Sequence, residues 1–228
     1  MNLRAIGREH ANQPGPYVLA CSHLGHVEPF LVATVMRRKI DFVARIEFYR
    51  SRIVAFLLRS LDAIKVNRQG VSVSTIRTSL DRLRRGRIVG IFPEGGVSRG
   101  AASVCVGGPI KLGATLIACR AGVPIIPCVV LGSHELSKIG PWLPFKHAYV
   151  WMAFGEPIAP VNPGRTRATR RAAYAEMGKK LQASMMLLYH DLSQRYNLPD
   201  AAGETFAERD TASSPYAPPR GSAMRSAL

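Results

Sequence analysis

The chain has 228 residues, 47% of them hydrophobic, and a formal net charge of +16. That size and apolar content can bury the core of one domain, and a mean hydropathy of +0.03 is not that of a multi-span membrane protein. The basic excess suits a polyanionic substrate or an anionic lipid surface; nucleic acid is disfavoured, because the cations are dispersed and only 7% of residues are aromatic stacking partners.

The apolar pattern predicts short strands alternating with helices. Tyr17–Cys21 reads as a strand, followed by a helix from Val27 to Arg38 with Pro29 tolerated in its first turn. Asp41–Ala44 is a second strand, Phe48 to Leu61 a helix, and Ala63–Val66 a short third strand. Val71 to Arg85 carries Ile76, Leu80 and Leu83 on one helical face, with arginines mostly on the other. Gly86 ends that helix, and Arg87–Phe92 is a buried strand.

Pro109 to Ala121 fits a helix capped by Gly122, leading into the strand Ile125–Leu131. A Gly-, Pro- and Lys-containing loop runs from 132 to 146, and His147–Phe154 is a last strand. Thr166 to Tyr196 forms one long helix whose stripe is Tyr174, Met177, Leu181, Met185, Leu188 and Leu192. From residue 200 the composition turns to Ala, Ser, Pro and Gly, which cannot build a core, so 1–199 is the domain and 200–228 a disordered tail. The alternation argues for a single layered α/β domain. Cys21, Cys105, Cys119 and Cys128 are widely spaced with no C-x-x-C pair, which points to reduced core thiols and no metal site. No apolar run reaches the roughly 20 residues of a spanning helix, and the N-terminus carries no signal-peptide-like segment, so membrane contact is expected to be peripheral.

Two islands carry the chemistry. Ser22-His23-Leu24-Gly25-His26-Val27-Glu28-Pro29 places a histidine at a strand-to-helix loop, where α/β proteins put their ligands, with a carboxylate five positions on. On one straight helix that spacing sets the side chains about 140° apart. They can pair only if His23 lies in the loop and Glu28 in the first helical turn, a place the helix dipole also favours for a carboxylate. Glu28 would then fix the imidazole tautomer while the other ring nitrogen takes a proton from a hydroxyl. His26, two residues from Glu28, is a loop or pocket-rim residue. The second island, Ile91-Phe92-Pro93-Glu94-Gly95-Gly96, ends a strand on a carboxylate and two glycines, a floor that a substrate can approach closely. Base, orienter and glycine turn together are the equipment of acyl transfer.

These islands resemble the glycerolipid acyltransferase family, in particular the bacterial 1-acylglycerol-3-phosphate acyltransferases. The family's H-x-x-x-x-D box corresponds to His23 through Glu28, and its hydrophobic-x-R block to Leu61 through Arg68. Its F-P-E-G-T-R box corresponds to the block Phe92 through Arg99, and its V-P-hydrophobic-hydrophobic-P box to Val123 through Pro127. The four blocks come in family order within residues 15 to 160. Glu28 replaces the usual aspartate, a one-methylene extension that a small loop shift would absorb. Gly96 replaces a threonine and Val97 an arginine, for which Arg99 is the nearby substitute.

The resemblance implies a central mixed sheet flanked by helices, with a thioester of coenzyme A or acyl carrier protein as acyl donor and a lysophospholipid hydroxyl as acceptor. It implies His23 and Glu28 as the catalytic pair, Arg68 and Arg99 on the acceptor phosphate, and Glu94, Gly95 and Gly96 around the glycerol. No cofactor or metal is called for. The setting it implies is the cytoplasmic face of the cell membrane, on an anionic surface. The alternatives are transfer to another lipid acceptor, such as a lyso-ornithine lipid or a glycolipid, and a catalytically silent lipid-binding relative.

Overall fold

The computed structural model describes residues 2–25, 27–50, 52–60, 62–66, 72–98, 100–133, 136, 149–196 and 198. His26, Arg68, Arg99, most of the 132–146 loop and the 200–228 tail lie outside these described residues.

Among the described residues, seven strands form one sheet: β1 (Asn2–Ile6), β2 (Tyr17–Cys21), β3 (Ile40–Arg45), β4 (Ile64–Val66), β5 (Ile88–Ile91), β6 (Ile125–Leu131) and β7 (Tyr149–Phe154). Their order is β1-β7-β6-β2-β5-β3-β4. Every neighbouring pair is parallel except β6 and β7, so the sheet is mixed. The central strands β2, β5 and β6 are buried along their whole length. Their residues alternate between two cores, which is why they read as unbroken apolar runs. Val18, Ala20, Val89, Ile91 and Val129 point into one core; Leu19, Cys21, Ile88, Ile126 and Cys128 point into the other.

Helices cover both faces. The first core is closed by α4 (Val73–Arg84), α5 (Gly113–Ala121) and the long α6 (Arg167–Tyr196), through Leu83, Ile117, Met177, Leu181 and Met185. The second is closed by α1 (Arg8–Ala11) and α2 (Glu28–Val35), through Ala11, Leu31, Val32 and Val35. The stripe expected on α6 is buried at Tyr174, Met177, Leu181, Met185 and Leu192, with Leu188 half-buried. Ser72 caps α4 by accepting from the Thr75 amide at 3.2 Å, and Gly122 ends α5 in the left-handed region.

The differences from the sequence reading have local causes. β1 and α1 were not expected. β1 is a half-exposed edge strand held by parallel pairing to β7, so it shows no apolar run. The helix expected from Val27 to Arg38 stops at Val35, because Met36 turns extended. The segment read as one helix from Phe48 to Leu61 is divided into a 3-10 turn, Ile46–Arg50, and α3 (Arg52–Ser60). The helix expected from Pro109 begins only at Gly113, since the Lys111 amide donates to Pro93 O at 2.8 Å and ties that stretch to the turn after β5. Two further 3-10 turns, Gly100–Ala102 and Val104–Val106, lie in between.

Candidate active site

β2 and β5 are adjacent and parallel, with Ala20 opposite Ile91. The loops leaving their C-terminal ends are therefore neighbours, and these loops are the two islands. His23 stands two residues past β2, and Glu94 three past β5.

Glu28 opens α2, with Pro29 second in the helix. From there its carboxylate reaches back to the loop, and Glu28 Oε2 lies 3.2 Å from His23 Nδ1. Its other oxygen, Oε1, accepts from the Gly25 amide and from the Ser133 hydroxyl at 2.6 Å. The Glu28 side chain is wholly buried, whereas that of His23 keeps 12% of its surface open. A carboxylate can only accept, so the arrangement puts the His23 proton on Nδ1 and turns Nε2 into the acceptor nitrogen. The imidazole also stacks on Phe92, with ring centres 4.2 Å apart.

Glu94 faces inward. Its Oε2 accepts from the His23 amide at 2.8 Å, and its Oε1 from the Ser103 hydroxyl at 3.1 Å and the Val104 amide at 3.0 Å. Three protein donors thus converge on a carboxylate that is 7% exposed. Burial pushes its carboxyl above the ordinary glutamate value, outweighing the lowering effect of those hydrogen bonds. The sequence reading set Glu94 around a substrate; here it holds the His23 main chain. Ser98 adds a second tie, its amide donating to His23 O at 2.9 Å.

Gly95 adopts the left-handed region at φ 72° and lies under Lys111, whose Nζ occupies the space a Cβ would need. A side chain at this position would cost about 1–2 kcal/mol in backbone alone. A Cβ at Gly96 would stand 2.9 Å from Arg45 Nη2, and the Arg45 guanidinium donates to Gly95 O. The glycine floor is therefore covered by two of the chain's own cations. Neither was expected at the glycine turn, although Arg45 directly follows the expected strand Asp41–Ala44. Ser133, likewise missed, follows the glycine at the end of β6. Of the residues expected on a phosphate, Arg68 and Arg99 lie outside the described set, and Val97 is half-buried.

All four cysteines are buried and free. Burial pushes the Cys105 thiol up to about 12 and raises that of Cys128 as well, so neither supplies a thiolate nucleophile near neutral pH. Among the described residues no group of His, Cys, Asp and Glu could hold a metal ion, and no helix is long and apolar enough to cross a membrane.

A family model described as Acyltransferase matches residues 2–131. A 1-acyl-sn-glycerol-3-phosphate acyltransferase of Bacillus subtilis (strain 168) is 27% identical over 157 residues, 68% of this chain and 73% of its own. One from Streptococcus pneumoniae (strain ATCC BAA-255 / R6) is 30% identical over 149 residues, 64% of this chain; the match spans 52% of that relative's length. The crystal structure of the 1-acyl-sn-glycerophosphate (LPA) acyltransferase PlsC from Thermotoga maritima superimposes with a TM-score of 0.57 at 19% identity, covering 80% of this chain and 71% of that one. At that identity the likeness is one of fold.

Proposed function

This chain belongs to the acyltransferase family, and on that footing we propose that it moves a fatty acyl group from an acyl thioester to the hydroxyl of a lysophospholipid, with 1-acylglycerol-3-phosphate as the acceptor and phosphatidic acid as the product. The observation that carries the reading is the His23–Glu28 pair, closed at 3.2 Å at the C-terminal edge of the sheet.

In this mechanism His23 Nε2 takes the proton of the acceptor hydroxyl as its oxygen attacks the thioester carbonyl carbon. The C–S bond then breaks, and the proton passes from His23 to the departing thiolate. Glu28 holds the ring and stabilises the imidazolium between the two steps. General-base help of this kind is worth about 100- to 10,000-fold. The high thiol values of Cys105 and Cys128 favour direct transfer over an acyl-cysteine. Arg45 and Lys111, which cover the Gly95–Gly96 turn, supply cations for the acceptor phosphate together with Arg68 and Arg99, in place of the arginine that Val97 replaces.

The acceptor is a membrane lipid, so the protein works at a bilayer surface, as a peripheral protein on the cytoplasmic face. The charge of +16 and the exposed Ile46 and Phe56 support this. Ile46 directly follows Arg45, which places apolar surface beside the catalytic edge. The second reading, transfer to a phosphate-free lipid acceptor, rests on Val97. The test is purified protein with an acyl thioester and a panel of hydroxyl acceptors. Lysophosphatidic acid is expected to be acylated fastest; a preference for a phosphate-free acceptor would establish the second reading, and no transfer to any would leave a silent lipid-binding relative.

A further inference from the structure

Ser133 lies in the turn that follows β6, 105 residues from Glu28 in sequence, yet its hydroxyl meets Glu28 Oε1 at 2.6 Å with both side chains wholly buried. Its place is built by its neighbours. Gly132 takes the left-handed region at φ 81°, where a Cβ would collide with Tyr149 O and crowd the Trp151 ring of β7. Ser133 O then accepts from the Leu136 amide at 3.0 Å. The glycine lets the turn pack against the neighbouring strand, and this delivers the hydroxyl to the buried carboxylate.

We propose that Ser133 is a positioning residue for the His23–Glu28 pair, fixing the plane of the Glu28 carboxylate so that Oε2 stays on His23 Nδ1. The terminal torsion of a glutamate is broad and roughly two-fold, so one amide donor on Oε1 does not set that plane. Two donors from different directions, Gly25 N–H and Ser133 O–H, do. The same arrangement explains why glutamate serves where the resembling family carries aspartate: the extra methylene brings Oε1 to the point where the Gly25 and Ser133 donors converge. The assignment rests on the reading of His23 as the base.

Two measurements test it. In kinetics, Ser133→Ala is expected to lower kcat about 10-fold, the scale of one hydrogen bond to a charged group, with the acceptor KM nearly unchanged. In a Glu28→Ala background the same substitution should cost under about twofold, since it acts through Glu28. Equal losses in both backgrounds would overturn the proposal. The second readout needs no turnover: the His23 Nδ1 proton is followed by NMR in protein with 15N-labelled histidine, assigned by its loss in His23→Ala. It is expected to be slow to exchange in the unmodified protein and to broaden or vanish in Ser133→Ala. An unchanged resonance in folded Ser133→Ala would overturn the proposal whether or not the protein transfers acyl groups. A protein that transfers none but shows the expected change would refute the function and keep the positioning role. Should Ser133→Ala not fold, Ser133→Cys keeps a side chain in that place with a weaker donor and reads the same contrast.

Discussion

Glu94 accepts a hydrogen bond from the backbone amide of His23 at 2.8 Å, so the carboxylate of one sequence island grips the main chain of the other across 71 residues. The parallel pairing of β2 with β5 makes this possible. A carboxylate is needed because its two oxygens face donors on opposite sides: His23 N–H on one, Ser103 O–H and Val104 N–H on the other.

Glu94→Gln therefore turns one of those contacts donor-to-donor. Turnover should fall about 10- to 100-fold, the range for leaving a buried polar group unmatched. The substitution should also flatten the pH dependence of stability. A carboxyl raised by burial binds its proton more tightly in the folded chain, so its contribution favours folding as pH falls toward the ordinary value of 4.5 and is lost as pH rises through the folded value. The melting temperature measured from pH 7 down to 5 should thus fall more, or rise less, in Glu94→Gln than in the unmodified protein. A steeper rise in the variant would refute this.

For the proposed catalytic pair, His23→Ala should abolish transfer in a folded protein, because in the proposed mechanism its side chain is the base and it is not a core element. Glu28→Gln should lose about 100-fold or more, since an amide cannot accept on both sides. Glu28→Asp restores the residue of the resembling family but shortens the arm by one carbon–carbon bond, roughly 1.5 Å. It cannot keep Gly25, Ser133 and His23 at once, and activity between those of the unmodified protein and Glu28→Gln is expected. Steady-state rates on proteins matched by circular dichroism decide the order; equal rates for the unmodified protein and Glu28→Gln would remove the orienting role.

The central strands and the His23–Glu28 pairing were legible because each rests on a local signal: an unbroken apolar run for a strand buried on both faces, and a loop-to-helix spacing for the pair. Glu94 was legible as important, but its hold on the His23 main chain was not, because its partners Ser103 and Val104 cap and open a short 3-10 turn with no periodicity to announce it. β1 was illegible for the opposite reason: its pairing to β7 is long-range and its residues are half-exposed. The cations over the glycine turn are set by tertiary packing. Nothing near Gly95 in the chain says that Lys111 and Arg45 will lie on it.

Those cations make a prediction about the acceptor. Arg45→Ala should raise the KM for lysophosphatidic acid more than it lowers kcat, as expected for a contact made in the ground state. The penalty should shrink with a phosphate-free acceptor. Arg68→Ala, carried over from the family block, should behave the same way. An identical penalty for both acceptors would assign Arg45 to holding the Gly95 turn, where its guanidinium already donates to Gly95 O.

The apolar surface available for the proposed membrane contact is small. In sequence, Ile53, Val54, Phe56, Leu57 and Leu58 form an apolar cluster beside Arg45, Arg50 and Arg52. In the structure Ala55 and Leu58 are buried and Val54 is half-buried, while Phe56 is 69% exposed; the side chains of Ile53 and Leu57 lie outside the described set. Ile46 is exposed as well. Binding to vesicles should therefore have two separable parts. The electrostatic part needs anionic lipid and fades as salt shortens the Debye length from about 10 Å at 0.1 M to about 3 Å at 1 M. The apolar part resides in Phe56 and Ile46, and burying such a side chain is worth roughly 1.5–3 kcal/mol. Phe56→Ser should weaken binding about 10-fold at low salt and leave the salt dependence itself unchanged. Sedimentation with phosphatidylglycerol-containing and purely phosphatidylcholine vesicles, at low and high salt, measures both parts. Binding indifferent to salt and lipid charge would refute the electrostatic part, and full affinity in Phe56→Ser would place the apolar contact elsewhere on the protein.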